Sequence, residues 1–111
     1  MVSATASGKL SPPFAVDHIQ AGAGVYYHPQ TSEPLYTNCA FVSPGTGQFR
    51  PTPASDPHIG TAGGEVEYVD DERRVEMVCV GQECMRETVK RLREAHPYEV
   101  VALGVVKLED V

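Results

Sequence analysis

Apolar and polar residues alternate most regularly in the second half of the chain, between residues 72 and 80. A period of two is the pattern of a strand that buries one face and exposes the other. The residues of the apolar face are Val75, Met77 and Cys79. We therefore predict a half-buried strand here, extended backwards through Glu65–Val69 with a turn at Asp70 and Asp71.

The pattern changes to the helical period in the segment Gln82–Ala95. Met85, Val89 and Leu92 recur at the spacing of one helix face, and charged residues occupy the other faces. Pro97 ends the predicted helix because the residue before a proline is forced out of the helical conformation. The segment is therefore predicted to be an amphipathic helix with one face in the core.

A further strand is predicted over Tyr98–Leu108, a run rich in β-branched residues. Strand, helix and strand joined by short connections form a βαβ unit, whose strands are parallel and whose crossover is right-handed. The first half of the chain has weaker signals, which predict a strand over Tyr36–Val42 and a short helix over Phe14–Ala21. Residues 43–64 are predicted to form a long loop, and such loops commonly carry a site or an interface.

The length of 111 residues predicts one domain, which we place at residues 14–111 after a flexible or atypical N-terminal segment at residues 1–13. No apolar stretch approaches the roughly 20 residues of a membrane-spanning helix, so we expect no membrane partner. The net charge of −6 with scattered lysines argues against a nucleic-acid partner, because binding a phosphate backbone requires clustered cations. Three cysteines outside any disulfide framework indicate reduced thiols and a cytoplasmic location.

Candidate chemistry begins in residues 45–51, where glycines would let backbone N–H groups approach an anion with Arg50 as its countercharge. The same glycines are also explained by a turn that redirects the chain. The four histidines lack metal-ligand spacing, so we predict no metal and no cofactor. An acid–base pair would require two titratable groups whose mutual geometry the sequence leaves open. The candidates for such a pair are His58, His96, Glu76 and Glu99.

Four segments occur in an order and at a spacing that resemble a known family. They are Gly45–Pro51, Pro57–Gly63, Arg74–Val78 and Ala95–Glu99. Over roughly residues 20–111, the chain resembles the small PII/CutA-like domain of the NGG-interacting factor three family, also called YqfO-like, in its stand-alone form. The resemblance implies an α+β fold, a ferredoxin-like βαββαβ sandwich. It also implies a homotrimer, by analogy with the trimers of PII and CutA proteins, whereas the metal site of the larger family members has no counterpart here.

The start of the chain departs from the family pattern. The family begins with an apolar strand and a helix of about four turns, whereas Ser3–Pro13 has no strand character. We therefore predict that the first βα unit is degraded or atypical. A sheet that lacks a strand exposes edge groups, which a partner chain would cover.

Taken together, the residues and the resemblance predict a non-catalytic oligomeric domain that senses a small polar or anionic ligand or a protein partner. The helix ending at His96 turns at Pro97 into the next strand, and the long loop is able to fold over the same sheet end. The predicted ligand-binding residues are Thr46, Gln48, Arg50, His58, His96, Tyr98 and Glu99. Two alternatives remain open: a small enzyme that uses a His/Glu pair under the loop, and a purely structural interaction module.

Overall fold

The computed structural model describes residues 2–8, 22–96, 100–109 and 111. These residues contain six strands and one helix. The strands are β1 (Val2–Gly8), β2 (Tyr26–Tyr27), β3 (Pro34–Tyr36), β4 (Phe41–Phe49), β5 (Glu67–Cys79) and β6 (Ala102–Lys107), and the helix is α1 (Gln82–Ala95). The short helix predicted over Phe14–Ala21 lies outside the described residues.

The main sheet has four strands in the order β4-β5-β1-β6, and β2 and β3 form a separate two-stranded sheet. Strand β1 is antiparallel to both β5 and β6, so β5 and β6 run parallel to each other on either side of it. The β5–α1–β6 segment is therefore the predicted βαβ unit. This strand order is that of a ferredoxin-like sandwich, which agrees with the predicted α+β fold.

The first strand is present, and the prediction that Ser3–Pro13 has no strand was wrong for the residues up to Gly8. Strand β1 is an inner strand of the sheet, with Ala4 opposite Met77 on one side and Val105 on the other. Its short Ala, Ser, Thr and Gly residues give no hydrophobic alternation, and so no strand signal. The strand forms because two flanking strands pair with its backbone on both sides.

Strands β4 and β5 form a long antiparallel ribbon that corrects two further predictions. The residues predicted as the start of a loop, 43–49, belong to β4, so the connection to β5 comprises only residues 50–66. The predicted turn at Asp70 and Asp71 is a β-bulge within one continuous strand. The register passes from Gly45 opposite Glu72 to Gly47 opposite Val69, which leaves two β5 residues facing one β4 residue. Asp70 and Asp71 therefore mark an irregularity in the strand, which is a bulge and not a turn.

The strand predicted over Tyr36–Val42 is divided into the end of β3 and the start of β4. The break lies at Asn38, whose φ of 59° is in the left-handed region and incompatible with a continuous strand. Asparagine tolerates this conformation better than most residues do. The break separates a small hairpin, β2–β3, from the main sheet.

The core lies between β5 and α1. Its buried residues are Ala23, Val75, Met77, Cys79 and Leu92, with Val42, Cys84, Met85, Val101 and Leu103 packed around them. The alternation in β5 and the burial of Leu92 were predicted correctly. Thr88 is also buried, and its hydroxyl donates to the carbonyl of Cys84 at 2.7 Å, which satisfies a polar group that the amphipathic pattern placed outside the core.

The described residues contain no helix that combines the length and the apolar character needed to cross a membrane.

Candidate functional site

A cavity of about 440 Å³ lies between the outer half of the β4–β5 ribbon, the loop that follows β4, and the residues around the start of β6. We call it the ribbon cavity. Its walls are Gly47, Gln48, Phe49, Arg50, Pro51, Thr52, Ser55, Pro57, His58, Ile59, Glu72, Val100 and Ala102. Apolar and polar side chains line the walls in equal number, and the polar groups converge on the same space, as in a small-molecule site.

The loop that covers this cavity is held by hydrogen bonds within itself. The Nε atom of Arg50 donates to the carbonyl of Gly64 at 3.1 Å, and the backbone N–H of Gly63 donates to the carbonyl of Pro51 at 3.1 Å. These two bonds join the beginning of the loop to its end. Arg50 lines the cavity, and this contact uses its Nε atom and not its terminal nitrogens.

Glu72 is a cavity residue that the sequence did not identify. It lies in β5 beside the bulge, is half-buried, and its carboxylate lies against the backbone of Gly47 in β4. A Cβ atom built on Gly47 would overlap that carboxylate, so the glycine provides the space that Glu72 occupies. In the sequence, the glycine-rich segment was the only indication of this space. The pairing of β4 with β5 was needed to show that the Glu72 side chain fills it.

Three of the predicted ligand-binding residues, Gln48, Arg50 and His58, line the ribbon cavity together. Thr46 lies opposite the bulge and is not among the lining residues. His96 follows the last residue of α1, is only 6% exposed, and donates its backbone N–H to the carbonyl of Leu92 at 3.0 Å. It therefore terminates the helix and, like Thr46, does not line this cavity.

Tyr98 and Glu99 lie outside the described residues. Val100 and Ala102, which follow them in the sequence, line the cavity. The gathering of all seven residues around one ligand remains a prediction. The structure brings three of them to one cavity and adds Glu72.

Two described candidates for the alternative acid–base arrangement, Glu76 and His58, line different cavities. Glu76 lines a smaller cavity of about 210 Å³ beside Cys39 and Phe41, and its carboxylate lies 3.3 Å from the Nε atom of Arg74. His58 lines the ribbon cavity instead. The geometry therefore gives no support to a His/Glu pair formed by these two residues.

The thiols of Cys79 and Cys84 lie in or against the core. The Cys79 thiol donates to the hydroxyl of Thr88 at 3.7 Å, and burial raises the pKa of this thiol above its ordinary value of 9.0. A raised pKa disfavours the reactive thiolate, so Cys79 is a small core residue, as expected from the sequence. Across the described part of the chain, no three His, Cys, Asp or Glu side chains are grouped as the ligands of a metal ion would be.

Comparisons with known proteins identify similar chains, although no family model matches the sequence. The chain is 36% identical over 73 residues to the GTP cyclohydrolase 1 type 2 homolog of Staphylococcus epidermidis, and 36% identical over 74 residues to that of Bacillus subtilis. These matches cover 66% and 67% of this chain and 19% of each relative. The chain thus spans about a fifth of the length of the curated relatives it matches.

Solved structures extend the similarity to nearly the whole chain. A Bacillus cereus protein related to NIF3 superimposes with a TM-score of 0.68 and 27% identity, over 98% of this chain and 26% of that one. The chain is a relative of one part of the NIF3 proteins. The predicted family resemblance is therefore confirmed. CutA1 from Pyrococcus horikoshii matches with a TM-score of 0.54 over 100% of this chain and 86% of its own, and at 14% identity it supports the fold alone.

Proposed function

We propose that this chain is a non-catalytic domain that binds a small polar or anionic ligand in the ribbon cavity. The observation that carries the proposal is the convergence of Gln48, Arg50 and His58 on one cavity. The loop from residue 50 to residue 66 provides most of the wall. It is cross-connected by hydrogen bonds, so the cavity is formed before a ligand enters.

The chemistry of the walls favours a small molecule over an extended peptide. A volume of about 440 Å³ falls in the range of small-molecule pockets, roughly 300–1,000 Å³. Arg50 presents a planar guanidinium that suits a carboxylate or phosphate group. Phe49, Ile59 and Val100 supply apolar surface for the rest of the ligand.

We further propose that the chain associates with itself, as the homotrimer that the family resemblance implies. Within the described part of the main sheet, β4 and β6 are the outermost strands, and each has one side without a partner strand. Large apolar residues near these edges are exposed, including Phe41 at 66% and Val106 at 61%. Exposed strand edges with apolar side chains favour pairing with another chain. Light scattering at tens of micromolar protein is expected to give a trimeric mass, and a monomeric mass would contradict self-association.

Native mass spectrometry of gently purified protein tests the ligand proposal. We expect a copurifying small molecule on the wild-type protein, its loss from the Arg50→Gln variant, and its retention on Arg86→Gln. Arg86 is an exposed residue of α1 outside the cavity, so it controls for a general loss of positive charge. A wild-type protein that carries no small molecule, even after incubation with a cell metabolite extract, would contradict the ligand proposal and favour an interaction domain.

A further inference from the structure

The carboxylate of Glu72 lies in an environment where a positively charged neighbour would stabilise it. Glu72 is half-buried in the wall of the ribbon cavity, and the backbone of Gly47 covers one side of its carboxylate. Burial of a carboxylate removes hydrating water and costs free energy unless a cation or hydrogen-bond donor replaces it. The Glu72 carboxylate in the cavity wall would therefore be stabilised by a cation or a hydrogen-bond donor placed beside it.

Within the described residues, no cation lies within ion-pair distance of this carboxylate. The adjacent arginine, Arg73, directs its Nη1 atom to the backbone carbonyl of Glu72 at 3.5 Å and not to the side chain. Arg50 lines the same cavity, but its Nε atom is held by the carbonyl of Gly64. The cavity thus presents a guanidinium and a carboxylate as separate groups.

We propose that the ligand of the ribbon cavity is a small zwitterion with an apolar body. Its acidic group binds the guanidinium of Arg50, and its ammonium group binds the carboxylate of Glu72. The apolar body packs on Phe49, Ile59 and Val100. This inference rests on the proposed function and narrows it from any small polar or anionic ligand to one that carries both charges.

Three matched probes separate the two charges. L-Phenylalanine carries both charges, N-acetyl-L-phenylalanine carries only the negative one, and L-phenylalanine amide carries only the positive one. Their binding to the full chain is measured by isothermal titration calorimetry, with probe concentrations up to tens of millimolar. We expect L-phenylalanine to bind at least about tenfold more tightly than either derivative, the change that the loss of one charge-assisted hydrogen bond produces.

Two variants test the role of Glu72, and a third is their control. Glu72→Gln keeps the size of the side chain and removes its charge, so L-phenylalanine is expected to bind about tenfold more weakly and only as well as its N-acetyl derivative. Gly47→Ala is expected to have the same effect because the new methyl group displaces the carboxylate. Gly45→Ala changes a glycine of the same strand with no atom within 4 Å of the added methyl, so binding should be unchanged. Circular dichroism melting confirms that each variant is folded.

The outcomes distinguish this inference from the proposed function. Equal binding of L-phenylalanine and N-acetyl-L-phenylalanine, lost in Arg50→Gln, would overturn the zwitterion and leave an anion site intact. Binding of L-phenylalanine that is unaffected by Glu72→Gln would likewise overturn it. The absence of binding by all three probes would overturn it too, while the copurified ligand would still decide the proposed function.

Discussion

The two halves of β5 belong to one continuous strand but have different surroundings. The half from Arg73 to Cys79 pairs with β1, and α1 contributes to the core over its buried side chains. Among the described residues, the half from Glu67 to Glu72 pairs with β4 alone, and Val69 is its one buried residue. The inner half therefore provides the core, and the outer half leaves the open space that becomes the ribbon cavity. In this chain, the buried core and the proposed ligand-binding cavity lie at opposite ends of one strand.

The largest expected effect is on the inner half. Leu92→Ala removes a buried side chain, 4% exposed, from the α1–β5 core and is expected to lower the free energy of unfolding by about 2–5 kcal/mol. Urea denaturation followed by circular dichroism measures this loss. Leu35→Ala is the matched control, because Leu35 in the separate β2–β3 hairpin is 51% exposed and its truncation should cost less than about 0.5 kcal/mol. Similar losses in both variants would contradict the assignment of the core.

The next largest effect on stability is expected at Gly24, which is hydrogen-bonded to the end of the inner half of β5. Gly24 has a φ of 72°, its N–H donates to the carbonyl of Val78 at 2.7 Å, and an added Cβ would overlap the backbone of Cys39. Gly24→Ala is expected to cost about 1–3 kcal/mol, because an L-residue is strained in this conformation.

The measurement for Gly24→Ala is the shift of the urea midpoint at constant slope. Gly45→Ala is the control, since its added methyl has open space and should change stability by less than about 0.5 kcal/mol. If the two variants unfold at the same urea concentration, the close approach of Gly24 to Cys39 is not a constraint in solution.

A smaller effect is expected from the pH. Burial raises the pKa of the Cys79 thiol in the folded chain above its ordinary value of 9.0, so the folded state holds this proton more tightly than the unfolded state. The contribution of the Cys79 thiol to the free energy of unfolding is fully present below about pH 9. It decreases as the pH rises through the folded-state pKa. Melting temperatures between pH 8 and pH 10.5 should fall more steeply for the wild type than for Cys79→Ala. Parallel curves would contradict the inner position of this thiol.

The smallest expected effect on stability belongs to the ribbon cavity, which lies beside the outer half of β5. Arg50 is exposed and makes one hydrogen bond across the loop, so Arg50→Gln should change the free energy of unfolding by less than about 1 kcal/mol. The same variant is expected to lose the copurifying ligand. A large loss of stability without a loss of ligand would contradict the separation of the stabilising core from the proposed binding cavity.

The sequence by itself determined the elements that carry a periodic pattern. The alternation of Val75, Met77 and Cys79 and the helical spacing around Leu92 identified the βαβ unit and its core. The segments that resemble the NGG-interacting factor three family pointed to the relatives found by comparison. Arg50 and His58 were selected from the composition of the loop, and both line the cavity. The fold predictions succeeded because local periodicity is visible in the chain itself, whereas the ligand-binding roles of Arg50 and His58 stay predictions.

Only the tertiary structure decided the features that depend on a partner strand. Strand β1 has short side chains with no alternation, and its place in the sheet follows from backbone pairing with β5 and β6, which are distant in sequence. The same is true of Glu72, which was one acidic residue among several until the pairing of β5 with β4 brought its carboxylate against Gly47. Pairing between distant segments decides which side chains meet, and that information is not contained in any local stretch of sequence.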